Sequence, residues 1–456
     1  MTDAPANSST NIATFSRQHW QVSVFVVLAL MFGLTYLAVL PPLNTPDGRA
    51  HALRIAQLAS GQFLPDRLDD GRYGGELSER FVAYADARVT GQPEPDWRSI
   101  PPDAVRQVDF SNAAAFTPLA HLPQAAGMAL ASLFSEAPEV LVMGARFGNL
   151  LVFTLLGALA VYLMPFGRVT LALVLLLPFS FSQAATVSAD ALNLAMPMVF
   201  LALIMRWTGL PALSMQRYLM LAGFAVALGL LKQTTPAFAL ALICLYRPLG
   251  GGPKALVMIG LPVLGGLTVA LMWSAAYPFL PGEYFNRGAD PAAQLATVLA
   301  QPTHLFAVVA DTIMDRFWIY WHSAMGLFPP VPGGDVLNWV PFGLALLVLV
   351  NLLVVALVDG PVRPGPRRGA ALITIGALIC GGIIAAFWLA FTAPGETIIR
   401  GVQGRYLTPA YGVIALGLTL LFTRRGWFPV LRYLLAAECL LAYAATLWIA
   451  SGFYGS

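Results

Sequence analysis

The chain has 456 residues, 58% of them hydrophobic and only 11% charged, with a mean hydropathy of +0.71 and a net charge of +3. A soluble domain usually carries about 25% charged residues, so this composition excludes a soluble globular protein and requires most of the chain to meet lipid. No basic run or basic–aromatic stripe points to nucleic acid, and Cys244, Cys380 and Cys439 are too scattered for a disulfide framework or metal-ligand spacing.

Residues 1–18 are polar and are followed by an apolar run at 22–40. That run is too long for a signal-peptide core and ends on Pro41-Pro42, so it is predicted as a retained first span. Further apolar stretches lie near 140–164, 168–186, 191–206, 217–232, 235–247, 254–278, 337–358, 369–393, 405–423 and 428–451. The prediction is a single all-α integral membrane domain over 1–456 with about eleven transmembrane helices, ten to thirteen depending on the short runs. The pairs flanking Asp190 and Lys232 read either as tight hairpins or as broken helices. Pro178, Pro197 and Pro262 read as kinks inside spans.

Charge sets the orientation. With the N-terminus cytoplasmic, the inner segments hold twelve cations against two acids, and the outer segments hold fourteen cations against twenty acids. That asymmetry obeys the positive-inside rule and predicts an inner-membrane protein with its polar loops on the external face. The largest, 42–139, carries 8 Lys/Arg and 13 Asp/Glu, too long and too charged for a passive connector. A second external loop is expected over 277–337. The segments 117–134 and 304–326 are moderately apolar, but a crossing by either alone would invert every later assignment. Both are therefore predicted as interfacial or re-entrant helices.

Four polar islands fall on the external side. After the first span, Asn44 or Thr45 can cap a helix with Pro46 at its first position. Asp47, His51 and Arg54 then share a face at i, i+4 and i+7, an acid–base and anion-binding set or a plain solvated face. In 183–190, Gln183, Ser188 and Asp190 either line a site or cap the next helix. Lys232 either snorkels to the interface or meets a phosphate. In 400–409, Arg400 and Arg405 stand among glycines on the side that disfavours cations, and arginine forks suit phosphate. Glu438 lies inside the last span without a partner visible in sequence. His304 and His322 read as ordinary hydrogen-bonded histidines.

Pro-Asp after the first span, a histidine four residues on, Arg54, Ser-Ala-Asp-Ala at 188–191, Lys232 and Gly-Val-Gln-Gly-Arg-Tyr at 401–406 occur in the order found in one bacterial family. The sequence resembles the polytopic membrane proteins designated domain of unknown function 2142, grouped with the GT-C glycosyltransferases. The resemblance implies a GT-C-like fold and an external active site that uses a polyprenyl-phosphate-linked sugar and an envelope glycan or lipid acceptor. It places Asp47 where an acidic residue commonly serves the acceptor or a metal; with the polar islands, the expectation is an inverting transfer in which Asp47 acts as base with help from His51. Arg54, Lys232, Arg400 and Arg405 hold the substrate, and Asp190 and Gln403 bond the sugar. The superfamily often places a second acid directly after the first. Gly48 stands there in this chain, so no metal ligand is assigned and a divalent metal stays an open cofactor. A transporter or flippase, or a non-catalytic assembly subunit, is the competing class.

Overall fold

The computed structural model describes residues 20–278, 288–332, 334, 337–361, 365–422 and 429–455. Asp3, Arg17, Glu283, Arg287, Asp335, Arg363, Arg424 and Arg425, which enter the charge count, lie outside the described residues. The fold is nearly all helical. Helix α1 (Trp20–Val39) has no charged residue over 20 positions, about 30 Å of rise and one hydrocarbon thickness.

Residues 42–137 then fold over one end of the helices. They hold α2 (Gly48–Ala59), strands β1 (Asp66–Arg67) and β2 (Tyr73–Ser78), α3 (Glu79–Thr90), β3 (Val105–Asp109) and α4 (Leu122–Ser132). The sheet is antiparallel in the order β1-β2-β3, with Gly74 opposite Asp109 and Ser78 opposite Val105. This small sheet was not expected from the sequence. With 11 residues, α4 rises about 17 Å, half a bilayer core, so it cannot cross alone. It lies instead on α5 (Pro138–Leu163), where a side chain at Gly127 would stand 2.2 Å from the Gly144 carbonyl oxygen.

The next span is broken. Helix α6 (Arg168–Leu175) and the segment opened by α7 (Pro178–Ser182) meet at 65°. Pro178 therefore starts a new helix rather than kinking one, because a proline ring cannot donate to the preceding turn. Pro197 and Pro262, by contrast, stand inside continuous helices, α8 (Asp190–Trp207) and α10 (Gly252–Ala276). Between those two come α9 (Met215–Gly229) and a 3₁₀ segment, Thr235–Leu245. Helices α11 (Pro291–Ala300) and α12 (Pro302–Gly326) meet at 113°, as a broken span or a re-entrant loop would. Strands β4 (Leu327–Phe328) and β5 (Asn338–Trp339) then lead into α13 (Phe342–Val358), α14 (Pro366–Phe391), α15 (Gly404–Thr419) and α16 (Pro429–Tyr454).

By length and composition, six described helices can cross a membrane, or up to eight if each bent pair is one span. The expected count of about eleven also needs α9, α13, α15 and the 3₁₀ segment, all of 17 residues or fewer. Each is shorter than the roughly 20 helical residues a bilayer core asks for.

Candidate active site where the polar islands meet

The loop after α1 does not cap α2 as expected. Thr45 turns its hydroxyl to Gln183 Oε1 at 2.8 Å, and α2 starts only at Gly48. Asp47 is the residue before the helix, in the left-handed region (φ 59°), with no side-chain capping bond. Its exposed carboxylate is therefore free of helix duty and accepts a bond from Asn112 Nδ2 at 3.1 Å.

The 183–190 junction is held open by buried donors that the sequence reading passed over. Arg146, on α5, donates from Nε to the Ala185 carbonyl at 2.8 Å and from Nη2 to the Leu40 carbonyl at 3.1 Å. Asn149 Nδ2 donates to Thr186 at 2.9 Å, and Gln124 Nε2 to the Ser188 carbonyl at 2.9 Å. Backbone outside helices has no water to satisfy it in a bilayer, so such donors are what permits a non-helical turn there.

That turn delivers Asp190 to the start of α8, where three islands join. Lys232 Nζ lies 3.6 Å from Asp190 Oδ1, and Arg405 Nε lies 3.3 Å from Asp190 Oδ2. Tyr406 closes the group. Lys232 sits 4.2 Å over its ring centroid, and Arg405 Nη2 donates to its hydroxyl at 2.8 Å. Arg405 Nη1 also reaches Gln183 Oε1 at 3.3 Å. Gly404 makes the approach possible, since a side chain there would stand 2.0 Å from the Tyr320 carbonyl on α12. Two cations against one carboxylate leave one positive charge over, and both ion-pair contacts are looser than an optimal N⁺–H···O⁻ bond.

Gln403, two residues before Arg405, borders a cleft of about 550 Å³ lined also by Asp47, Asn112 and the prolines 329 and 330, while Asp190, Lys232, Arg405 and Tyr406 themselves line a separate cavity of about 20 Å³. Gln403 Oε1 is buried and meets no partner among the described residues. Arg49, Arg72 and Arg88 also border the cleft, each tied to an acid of the same loop: Asp86, Asp109 and Glu94.

The structure does not bring in two predicted residues. Arg54 is fully buried, and its guanidinium donates to Gln57 and, at 2.7 Å, to the Phe63 carbonyl, tying α2 to the loop after it. Burial pushes its pKa down to about 10. Arg400 pairs with Glu396 at 2.9 Å and lines a separate cleft of about 670 Å³ with Arg316. His51 stands near the cluster but is bonded to His121, a residue the sequence reading did not select. Burial holds the pKa of His51 below that of an ordinary imidazole and that of His121 well below it. His322 bonds the Val340 carbonyl at 2.7 Å, an ordinary structural role. Glu438 accepts from Asn351 Nδ2 at 2.9 Å, a partner 87 positions away. No three His, Cys, Asp or Glu side chains gather around one point among the described residues.

A family model described as "Predicted membrane protein (DUF2142)" matches residues 30–413. The chain belongs to that family. Asp47, His51, His121, Asp190, Lys232 and Arg405 all fall inside the matched stretch of this DUF2142 chain, whereas Arg432 and Glu438 lie beyond it. No curated protein matches it. Among solved structures it is similar to the oligosaccharyltransferase of Archaeoglobus fulgidus, crystallised with a tethered acceptor peptide, at 12% identity and a TM-score of 0.40. That likeness covers 96% of this chain and 56% of the other, so the DUF2142 chain spans little more than half of that enzyme. A likeness this slight decides nothing about fold or chemistry.

Proposed function

We propose that this DUF2142 chain is a GT-C-type glycosyltransferase of the bacterial inner membrane. It would take a sugar from a polyprenyl-phosphate donor on the external face and pass it to an envelope glycan or lipid. One observation carries the reading: a half-buried carboxylate held between Lys232 and Arg405, with a surplus positive charge, near the exposed carboxylate of Asp47 on an open cleft. The inner/outer charge asymmetry supports the external face.

In this scheme Asp47 accepts the proton of an acceptor hydroxyl. The oxygen attacks the anomeric carbon, its bond to the donor phosphate breaks, and the electron pair leaves on the polyprenyl phosphate. Lys232 and Arg405 offset that charge as it develops, in a site already organised to receive it. Asp190 orients both cations and, with Gln403, bonds the sugar. Arg54 and Arg400 are engaged elsewhere and take no step. A transporter has a foothold in the Asn351–Glu438 pair within α13 and α16, but that pair shares no hydrogen bond with the cluster among the described residues.

The test compares wild type with Asp47→Asn in membranes supplied with radiolabelled polyprenyl-phosphate sugars. The expected outcome is transfer to an envelope acceptor that drops by about 10²–10⁴-fold in the variant at equal expression. Transfer that survives the substitution removes Asp47 as the base, and no transfer from any donor moves the weight to transport.

A further inference from the structure

His51 Nδ1 and His121 Nε2 lie 2.8 Å apart, with ring centroids 5.0 Å apart. Two ring nitrogens at that distance share one proton: one donates and the other accepts. His121 is fully buried, and its other nitrogen, Nδ1, meets no partner among the described residues. Phe116 packs edge-on against the ring at 5.8 Å. The other nitrogen of His51, Nε2, makes no hydrogen bond to the described residues. The charges that act on His51 are those of Asp47, Asp190, Arg405 and Lys232, so the ring lies within the field of the cluster.

Two proton arrangements fit the contact. If His51 donates, His121 must carry its own proton on Nδ1, an N–H sealed in with no acceptor. If His121 donates, its orphaned atom is a bare lone pair. Orphaned buried N–H groups are the rarer defect, and the second arrangement also gives both rings the tautomer that neutral imidazole ordinarily prefers. It leaves His51 presenting an N–H at Nε2 rather than a lone pair.

We propose that His121 is a positioning residue that locks His51 as a hydrogen-bond donor, whose Nε2–H binds a phosphate oxygen of the lipid-linked sugar. Proton removal then falls to Asp47 alone, in place of the shared role expected for His51. The phosphate partner rests on the glycosyl-transfer reading; the tautomer does not. Fixing the imidazole through its far nitrogen is how second partners orient histidines generally.

The experiment is ¹⁵N NMR of the full-length protein labelled at histidine, with His51→Gln and His121→Gln used for assignment, alongside transfer assays. At neutral pH both rings should show a protonated Nε2 and a bare Nδ1. Protonation of Nδ1 on either ring overturns the proposal. In the assays His121→Phe should lower kcat about tenfold with KM little changed, and His121→Gln, whose amide can still donate to His51, should restore most of it. Unchanged kcat in His121→Phe, or no recovery in His121→Gln at equal expression, also overturns it. Should wild type transfer no sugar, the glycosyl-transfer reading falls, and the NMR result still decides the tautomer.

Discussion

Asp190 and Asp359 are both carboxylates drawn among the helices, at opposite ends of the spans, and they are held in different ways. Asp359 is saturated. Its oxygens accept from the Val169 and Thr170 amides at 2.9 and 3.0 Å, and from Arg432 Nη1 at 2.7 Å, leaving nothing to offer a ligand. Asp190 has contacts of 3.3 and 3.6 Å to two cations, both of which lie over the ring of Tyr406. The first arrangement closes a helix junction, and the second keeps charge in reserve. Tight pairing marks a structural fastening; in the proposed scheme the looser pairing at Asp190 leaves room for a substrate to complete the set.

The largest effect expected is at the closed end. Arg432→Ala strands Asp359 without its cation and should cost about 3–5 kcal/mol, read as loss of the monodisperse peak after heating in detergent, with transfer per folded molecule unchanged. Arg405→Gln should do the opposite, lowering transfer by about 10²–10³-fold while the heated protein stays monodisperse, since Lys232 still balances Asp190. Equal thermal losses in the two variants would erase the distinction between the ends.

A pH series sharpens it. Burial lowers the folded-state pKa of both His51 and His121, while the unfolded rings titrate near 6.5. The unfolded state therefore binds more protons as pH falls below that value, and the stability the neutral rings confer is lost there. Protection factors in α2, with exchange corrected for its intrinsic pH dependence, should fall between pH 7.5 and 5, while those in α6 at the Asp359 end hold. The smallest effect belongs to the intramembrane pair: a double-mutant cycle on Asn351 and Glu438 should give a coupling of about 0.6 kcal/mol. A much larger coupling, together with loss of any transport signal, would favour the competing class.

Hydropathy located most helices well, because apolar runs of span length have few other uses. The predicted first run at 22–40 falls on α1, and those at 254–278 and 369–393 match α10 and α14 within three residues. What hydropathy could not show is how a run ends or breaks. Leu176 and Leu177 are as apolar as their neighbours, yet the helix stops there, and the 235–247 run winds as a 3₁₀ helix. The three-stranded sheet escaped because its strands are two to six residues long inside a charged loop. Asp47, Asp190, Lys232 and Arg405 stood out as polar residues at span boundaries. Arg146, Asn149 and Gln124 did not, since one donor inside an apolar helix looks alike whether it faces lipid or a bare carbonyl. His121 carried one usable signal, its place between Pro118 and Pro123, where a turn rather than a helix face presents the ring.

Leu43 and Asp47 are the non-glycine residues with positive φ among the described residues, at 62° and 59°, four positions apart in the loop that lines the cleft. Such backbone costs on the order of 1–3 kcal/mol per residue and persists only where surroundings enforce it. Glycine would relax both positions at once. A lineage selected for thermal endurance alone would therefore drift toward glycine at 47 and discard the carboxylate with the strain. In the proposed scheme the aspartate at 47 trades durability for use within one turn of the chain.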